Sequence, residues 1–384
     1  MSVTAAGGFR AAGVAAGLKS VGLLDVAVVV NDGPARSAAG VFTSNRVKAA
    51  PVLWSEQVLA DGRVDAVVLN SGGANACTGP LGFQDTHATA EWLAAEMHFS
   101  TTDVAVCSTG LIGDRLPVDA LLAGVDAAVA QLSVTGAEDA ARAIMTTDTK
   151  PKQSVVTTAS GVTVGGMAKG AGMLAPGLAT MLVVLTTDAL ADAADLDRAL
   201  RSATAATFDR VDSDGCMSTN DSVLLLSSGA SGVTPDATEL DAAVHEVCAD
   251  LAHQLVDDAE GATKTIAVEA VNADSVPDAI EVARSVARSN LLKCAITGED
   301  PNWGRVLAAV GTTTAVFAPE RLGVALNGVW VCRDGAAGED RAKVDLSGRL
   351  VTITVDLAAG DAEATVWTND LTAAYVHENS VYST

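Results

Sequence analysis

One stretch near the middle of the chain constrains the fold more than any other. It covers residues 165–188 and changes character at Thr180. The part before Thr180 is rich in glycine and contains a proline, so we expect irregular backbone there. The part after it, residues 181–185, is an uninterrupted apolar run, which is typical of a buried strand. The sequence therefore predicts a threonine at the junction between a glycine-rich loop and a core strand.

A threonine at such a junction could act as a catalytic nucleophile if the chain is cut just before it. Cleavage of the bond between Ala179 and Thr180 would give Thr180 a free α-amino group. The usual pKa of that group, about 7.7–8.0, leaves part of it neutral at physiological pH. A threonine hydroxyl with its own amine as the base is a recognised nucleophile. The alternative is that Thr180 is an ordinary strand residue.

Composition favours an α/β protein of substantial size. The chain has 384 residues, which suits two domains or one large layered domain. Hydrophobic residues make up 49% of it and aromatic residues only 3%. The core must therefore be filled by alanine, valine and leucine, which favours closely packed helices and sheets.

The charge of the chain restricts its partners. There are 47 acidic and 24 basic residues, giving a formal net charge of −23. Such a negative surface disfavours nucleic acid and anionic membranes as partners and suits an enzyme for small molecules. No signal peptide is evident, no apolar run approaches the ~20 residues that span a bilayer, and the six cysteines form no CxxC pair. We therefore expect a cytoplasmic protein with reduced thiols and no zinc site.

Two loops that follow expected strands carry small and polar residues. The segment 70–79, after a strand at 64–69, is dense in glycine and asparagine, which suits close approach of the backbone to a ligand. A plain turn is the alternative. The segment 108–113 follows a strand at 104–107 and begins with Ser108, Thr109 and Gly110. A hydroxyl and a backbone N–H at the end of a strand are the donors that an oxyanion hole needs.

Hydrophobic periodicity predicts the remaining elements. Further strands are expected at 24–30, 41–47, 52–54, 162–164, 223–226, 265–271, 324–332, 350–357 and 364–367. Helices are expected at 86–98, 118–132, 138–145, 195–208, 238–258 and 276–289. The segment 209–221 contains several aspartates and ends in a polar Ser-Thr-Asn-Asp turn at 218–221. Its aspartates lack the spacing of an EF-hand, which excludes that calcium site. None of the five histidines lies in a triad-like motif, which fits a threonine that supplies its own base.

Taken together, the motifs of the chain resemble the ornithine acetyltransferases of the cyclic arginine pathway, also described as bifunctional glutamate N-acetyltransferases. The resemblance covers essentially the whole chain. The matching segments are 70–79, 108–113, 144–148 (Ile-Met-Thr-Thr-Asp), 169–173 (Lys-Gly-Ala-Gly-Met), 179–182 (Ala-Thr-Met-Leu), 258–261 (Asp-Ala-Glu-Gly), 300–305 (Asp-Pro-Asn-Trp-Gly-Arg) and 378–380 (Glu-Asn-Ser). Each motif is short, but the full set in this order is specific.

The resemblance implies a self-cleaving acetyltransferase. The precursor would cut itself between Ala179 and Thr180 into an α chain, residues 1–179, and a β chain, residues 180–384, that stay together. Thr180 would accept the acetyl group of N-acetylornithine and pass it to glutamate. Thr109 and Gly110 match the oxyanion hole of the family. The positions that match its substrate-binding residues are Thr146, Lys169, Thr180, Glu260, Asn379 and Thr384.

The resemblance also implies a fold and an assembly. The expected fold is a layered α/β sandwich, similar in layout to the N-terminal-nucleophile hydrolases, with a smaller C-terminal α/β domain. The expected assembly is a heterotetramer of two α and two β chains, with no metal and no cofactor. Lys169 suits a substrate carboxylate, and Glu260 suits a substrate ammonium or the orientation of Lys169; a plain salt bridge is the alternative for both. Whether acetyl-CoA is a second acetyl donor stays open.

Two other classes of function remain open. An autoprocessed N-terminal-threonine amidase or aminopeptidase would share the nucleophile but give the acyl group to water. A non-catalytic binding protein with a glycine-rich ligand loop would keep an intact chain and form no acyl-enzyme. Nucleotide binding is not expected, because the glycine-rich segments lack the Gly-Lys-Ser/Thr of a phosphate loop.

Overall fold

A computed structural model of the chain describes residues 2–175 and 181–381. These residues form two units by their internal contacts. The first unit contains the described residues up to 209 and residues 216–258; the second contains residues 210–215 and those from 259 onward. Each unit has a hydrophobic core of its own.

The first unit is built on two sheets. Its strands are β1 (Phe9–Val14), β2 (Val26–Asn31), β3 (Ala38–Phe42), β4 (Ala66–Asn70), β5 (Val104–Ser108), β6 (Lys152–Thr157), β7 (Thr163–Lys169), β8 (Leu182–Thr187) and β9 (Ser222–Ser227). The four-stranded sheet has the order β1-β2-β4-β5, and only β4 and β5 are parallel. The five-stranded sheet has the order β3-β9-β8-β7-β6, and only β8 and β9 are parallel.

Helices pack on both sheets. They are α1 (Ala50–Val58), α2 (Gly79–Met97), α3 (Val118–Gln131), α4 (Ala137–Ala143), α5 (Ala193–Ala206) and α6 (Ala237–Asp257). The helices α1 to α4 pack on the four-stranded sheet, and α5 and α6 pack on the five-stranded sheet. The side chains of Asp192 and Asp236 cap α5 and α6 by accepting backbone N–H groups of the first turn.

One apolar core joins the two sheets of this unit. Met167, Leu182 and Leu224 of the five-stranded sheet share a buried cluster with Val28 and Val68 of the four-stranded sheet. Strands β2, β8 and β9 are buried along their whole length, which explains their nearly continuous valine and leucine runs. The layers are therefore helix, sheet, sheet and helix, and the predicted α/β sandwich is confirmed.

The glycine-rich half of the central stretch differs from our expectation. We predicted irregular backbone from residue 165, but residues 165–169 continue β7, in which Lys169 pairs with Leu182 of β8. The glycines are required by close packing. A Cβ atom on Gly165 would lie 2.0 Å from the backbone oxygen of Ser2, and one on Gly166 would lie 2.6 Å from Leu185 Cδ2. Glycine here permits a crowded strand.

Most other predicted elements are confirmed with shifted bounds. The expected strand at 41–47 overlaps β3 only at residues 41–42, and the expected helix at 86–98 begins already at Gly79. The expected strand at 52–54 lies inside α1, where Pro51 stands in the first turn, a position proline tolerates. The expected strand at 324–332 is two strands of a hairpin. Six further elements were not predicted: the strands at 9–14, 152–157 and 336–337, and the helices at 290–297, 303–310 and 373–381. In β6 and in the helix at 290–297, polar residues interrupt the apolar pattern.

The second unit is a smaller α/β unit, as expected for the C-terminal part. Its strands are β10 (Thr265–Ala273), β11 (Gly323–Leu326), β12 (Val329–Arg333), β13 (Ala336–Ala337), β14 (Leu350–Asp356) and β15 (Ala362–Asn369). They form one sheet in the order β13-β12-β11-β14-β10-β15. Its helices are α7 (Val276–Ala287), α8 (Asn290–Thr297), α9 (Trp303–Val310) and α10 (Ala373–Val381). Asn327 and Gly328, both with positive φ, turn the β11–β12 hairpin.

Among the helices of the described residues, none has both the length and the apolar character that crossing a membrane requires.

The crowding around β7 predicts a stability change. Replacing Gly165 with alanine should lower the free energy of unfolding by about 1–3 kcal/mol, because the new methyl group overlaps a backbone oxygen that cannot easily move. The matched control is Gly7→Ala, whose added Cβ would have its nearest neighbour at an ordinary 3.5 Å. Urea unfolding of both variants at equal protein concentration tests this. Equal midpoints for the two variants would contradict the packing role of Gly165.

Candidate functional site

Two loops of the first unit meet at one edge of the four-stranded sheet. Strand β4 ends at Asn70 and its parallel neighbour β5 ends at Ser108, so the segments after them leave the sheet side by side. Thr109 forms a β-bridge with Gly73, and its backbone N–H donates to Asn70 O at 3.0 Å. The two loops that the sequence singled out separately are therefore one structure.

Gly110 lies where only glycine fits. Its φ is +136°, and an added Cβ would lie 2.7 Å from both the N and Cα atoms of Gly73. This close approach of two backbones fixes the loop on which Thr109 and Gly110 follow each other. The expected oxyanion donors therefore lie on a backbone with little freedom to shift.

Asn220, just before β9, ties the two loops together. Its side-chain amide donates to Ala74 O at 2.6 Å and to Ser108 O at 2.8 Å, and the residue is buried. Both amide hydrogens are thereby used. In the sequence Asn220 stood out only as part of a polar turn, so this bridging role was missed.

Asp221 connects the same place to the central stretch. Its Oδ1 accepts the backbone N–H of Met181 at 3.0 Å. Met181 directly follows Thr180, so Asp221 binds the peptide unit after the expected nucleophile. Its carboxyl group also interacts with the side chains of Thr43 and Ser218. Complete burial raises the pKa of Asp221 well above its usual range, although the Met181 N–H and the charge of Lys169 act against this rise.

Lys169 ends β7 and lies in the interior of the first unit. The residue is 1% exposed, and its Nζ donates to the hydroxyl oxygen of Thr109 at 3.3 Å. The carboxyl groups of Asp148 and Asp221 both interact electrostatically with it. A second lysine, Lys19, also lies close enough to be repelled by it.

Asp148 is the centre of a buried polar network. Its Oδ1 accepts the backbone N–H of Gly170 at 2.7 Å and Lys152 Nζ at 2.6 Å, and its Oδ2 accepts the backbone N–H of Thr146 at 2.9 Å. Thr146 is an expected substrate-binding residue, and Gly170 begins the loop that leads towards the expected cleavage point. One carboxylate therefore positions both segments.

Lys152 extends this network to the end of α6. Its Nζ also donates to Asp258 Oδ2 at 2.6 Å, and Asp258 accepts the backbone N–H of Thr149 at 3.0 Å. The side chains of Asp148 and Lys152 are fully buried and that of Asp258 is 5% exposed. Burial opposes ionisation of Asp148, but the charges of Lys169 and Lys152 and the hydrogen bonds from Gly170 and Lys152 outweigh it and lower the pKa to about 2.

Two expected substrate-binding residues lie together in the second unit. The side-chain amide of Asn379, on α10, donates to Glu260 Oε2 at 2.9 Å. The helix docks on the turn that follows Glu260, where Thr372 Oγ1 donates to Gly261 O at 2.6 Å. Gly261 has a φ of +61°, and a Cβ on it would lie 2.2 Å from the backbone nitrogen of Tyr375. Glycine is therefore needed for α10 to reach Glu260.

Each unit has a cavity beside these residues. In the first unit a cavity of about 570 Å³ is lined by Lys19, Thr146 and Asp148, among others. In the second unit a cavity of about 330 Å³ has Glu260 and Lys293 in its wall. Over residues 2–175 and 181–381, no group of three or more histidine, cysteine or acidic side chains is placed to hold a metal ion.

The structure thus brings together four of the predicted site residues in the first unit: Thr109, Gly110, Thr146 and Lys169. It pairs Glu260 with Asn379 in the second. Ala179, Thr180 and Thr384 lie outside the described residues. Sequence reasoning missed Lys152 as a site residue, and it used Asp148 and Asp258 only as parts of matching segments.

Comparisons with known proteins agree with the motifs. Residues 10–384 match the model of the ArgJ family. The chain is 70% identical over 383 residues to the arginine biosynthesis bifunctional protein ArgJ of Streptomyces coelicolor and 65% identical over 384 residues to that of Thermobifida fusca, and both alignments cover 100% of each chain. A crystal structure of the arginine biosynthesis bifunctional protein ArgJ from Bacillus halodurans is similar at 33% identity with a TM-score of 0.50, covering 52% of this chain and 98% of that one.

The buried network predicts an acid-dependent stability. Because the pKa of Asp148 is lowered, its contribution is present above the unfolded pKa of about 3.9 and is lost as the pH falls towards about 2. Asp148→Asn should therefore lower the free energy of unfolding by about 3–5 kcal/mol at neutral pH, and the difference from wild type should shrink below pH ~4.

Urea unfolding from pH 3 to 8 at one protein concentration measures this difference. The control is Glu56→Gln, which removes the carboxylate of an ion pair with Lys48 whose side chains are 30% and 33% exposed, and it should change the unfolding free energy by less than ~1 kcal/mol. A constant difference between wild type and Asp148→Asn across this range would refute the ionised state of Asp148.

Asp221 predicts the opposite dependence. Its raised pKa means that its contribution is present below the unfolded pKa of about 3.9 and is lost as the pH rises towards the folded value. Asparagine can still accept the Met181 N–H through its oxygen. Asp221→Asn should therefore gain stability relative to wild type as the pH rises from 4 to 8, in the same urea experiment. Parallel stability profiles for the two proteins would show that the carboxyl is not held neutral.

Proposed function

The chain belongs to the ArgJ family, and from this premise we propose that it transfers the acetyl group of N2-acetyl-L-ornithine to L-glutamate through an acetyl ester on Thr180. The observation that carries the proposal is local to the first unit. Asn220 holds the loop of Thr109 and Gly110, and the next residue, Asp221, holds the peptide unit that follows Thr180. Two successive residues thus tie the expected oxyanion donors to the neighbourhood of the expected nucleophile.

The first reaction in the proposal is self-cleavage. The Thr180 hydroxyl attacks the carbonyl carbon of Ala179, the C–N bond breaks, and the hydroxyl proton ends on the released nitrogen of Thr180. Water then hydrolyses the resulting ester, which frees the carboxylate of Ala179 and restores the hydroxyl. The Thr109 hydroxyl and the Gly110 N–H stabilise the negative oxygen of each tetrahedral intermediate.

The length of a solved relative supports this cleavage. The Bacillus halodurans chain aligns over 98% of its length but spans only 52% of this chain, whereas the Streptomyces coelicolor protein aligns end to end. A β chain of residues 180–384 would contain 205 of 384 residues, or about 53%. A chain of that length is what one product of the proposed cut would have.

Acetyl transfer then follows a ping-pong course. The α-amine of Thr180 removes the hydroxyl proton as the oxygen attacks the acetyl carbonyl of N-acetylornithine. The C–N bond breaks, the proton passes to the leaving nitrogen, and ornithine departs. The α-amine of glutamate attacks the acetyl ester in the second half, and its proton returns through the Thr180 amine to the restored hydroxyl. Neither half requires a metal or a cofactor.

The remaining predicted residues bind substrate in this proposal. In the first unit, Thr146, which is oriented by Asp148, and the ammonium of Lys169 bind substrate. Glu260, which is held by Asn379, supplies a carboxylate for a substrate ammonium. Thr384 is a further substrate-binding residue in this proposal.

Three broader statements belong to the same proposal. The relatives are named bifunctional proteins, and we include acetyl-CoA as a second donor because a thioester would form the same Thr180 acetyl ester. The α and β chains assemble as a heterotetramer of two of each. The enzyme acts in the cytoplasm.

A Thr180→Ala variant tests the proposal. It should stay as a single chain and lose acetyl transfer by ~10³-fold or more, because the nucleophile is removed. The conservative control is Thr180→Ser, which keeps a hydroxyl and should still be cut. Intact mass under denaturing conditions reads the cleavage, and the same measurement with N-acetylornithine reads an acetyl adduct on the fragment that begins at Thr180.

The product distinguishes the proposed transferase from an amidase. With N-acetylornithine and glutamate present, the proposal expects N-acetylglutamate and ornithine in equal amounts. Release of free acetate at the same rate with and without glutamate would identify an amidase. If the well-folded wild-type chain stays uncut, Thr180 has no free α-amine to act as the base, and the proposed mechanism is wrong.

A further inference from the structure

In the hydrogen bond between Lys169 and Thr109, the lysine must be the donor and the threonine hydroxyl the acceptor. A lysine ammonium can only donate hydrogen bonds, whereas a threonine hydroxyl has one proton and two lone pairs. The contact of 3.3 Å therefore uses a lone pair of Thr109 Oγ1 and leaves its proton for another acceptor. Among residues 2–175 and 181–381, Lys169 is the hydrogen-bond partner of the Thr109 hydroxyl.

We propose that Lys169 is a positioning residue for the oxyanion hole, which acts by orienting and polarising the Thr109 hydroxyl. This inference rests on the proposed function, in which that hydroxyl donates to the developing oxyanion. Lys169 has three N–H groups, so the contact with Thr109 is compatible with a further contact to a substrate carboxylate. The new element is that Lys169 serves the reaction before any substrate is bound.

The surroundings of Thr109 support an orienting role. Its backbone is fixed by the hydrogen bond to Asn70 O, the bridge to Gly73 and the bond from Asn220 to Ser108 O. The main freedom left is rotation within the side chain. A donor on one lone pair restricts where the hydroxyl proton can point, and hydrogen bonds in a chain strengthen one another.

The positive charge of buried Lys169 is compensated by nearby carboxyl groups. A buried ammonium is costly unless carboxylates compensate it. Asp148 and Asp221 both attract it, whereas Lys19 repels it. Asp148 in turn is shared with Lys152. The network thus holds a cation against a hydroxyl whose proton, in the proposed reaction, faces a developing negative charge.

Self-cleavage separates this role from substrate binding. The cut between Ala179 and Thr180 involves no amino-acid substrate, so a lysine that only binds a substrate carboxylate would not affect its rate. A lysine that orients the Thr109 hydroxyl would affect it. The loss should also depend on Thr109, because without that hydroxyl Lys169 has nothing to orient.

The experiment is a double-mutant cycle on the full chain. Wild type, Lys169→Met, Thr109→Ala and the double variant are made by cell-free synthesis, and intact mass follows their cleavage with time. Thr109→Ala should slow cleavage by ~10²–10³-fold. Lys169→Met should slow it by ~10–100-fold alone, as for loss of a hydrogen bond to a charged group, but by less than about twofold in the Thr109→Ala background.

Two further variants separate orientation from general disruption. Thr109→Ser keeps a hydroxyl, so Lys169→Met should again slow cleavage by more than ~10-fold in that background. Lys152→Met removes the other buried lysine bound to Asp148, and it should destabilise the fold while slowing cleavage less than Lys169→Met does. If Lys169→Met does not fold, as judged by circular dichroism, Lys169→Gln replaces it in the same cycle.

The outcomes decide between the two proposals. Additive losses in the double variant, wild-type cleavage by Lys169→Met, or equal losses for Lys152→Met and Lys169→Met would each overturn the role of Lys169. An uncut wild-type chain would instead defeat the proposed function, and wild-type cleavage by Thr109→Ala would remove Thr109 from it. The inference is supported if Lys169→Met slows cleavage when residue 109 is threonine or serine but has little effect in the Thr109→Ala background.

Discussion

The pairing of buried charges in the first unit governs the arrangement of its site. Lys152 and Lys169 lie on neighbouring strands, and water reaches neither side chain. Each needs a carboxylate, because an isolated ammonium in the interior would cost far more than the fold can offset. The carboxylate of Asp148 attracts both lysines. It also accepts hydrogen bonds from the backbone N–H groups of Thr146 and Gly170. Placing the charges therefore also places the loops.

A site assembled in this way changes little during a reaction. Its donors sit on backbone that is held by crowding, as at Gly110, or by buried amides, as at Asn220. Dipoles that are already oriented need no rearrangement when negative charge develops, which is the main source of catalysis by such sites. In the proposed function, the same rigid donors would serve peptide cleavage once and acetyl transfer many times, because both reactions pass through a tetrahedral oxyanion.

The resemblance to the family implied the layered sandwich. The sequence itself predicted most strands and helices and the loop at 108–113, because apolar periodicity and polar residues at strand ends are local signals. It failed at Gly165 and Gly166, since whether glycine loosens a loop or permits a crowded strand depends on atoms distant in sequence. It also missed Lys152, whose partner Asp258 is 106 residues away. Asn220 looked like a turn residue because its two acceptors belong to loops more than 100 residues earlier.

The pairing of β7 with β8 has a consequence for the life of the molecule. The expected cut falls between two antiparallel strands inside one sheet, so the ladder from Val164–Thr187 to Lys169–Leu182 would outlast the covalent link. If the proposed cleavage occurs, the chain would fold as one molecule, with its strands tethered, and would persist as two. Renaturation of the cut form would be bimolecular and would slow on dilution, whereas the uncut precursor refolds at a rate independent of concentration. After cleavage the protein would therefore refold less efficiently than its uncut precursor folds.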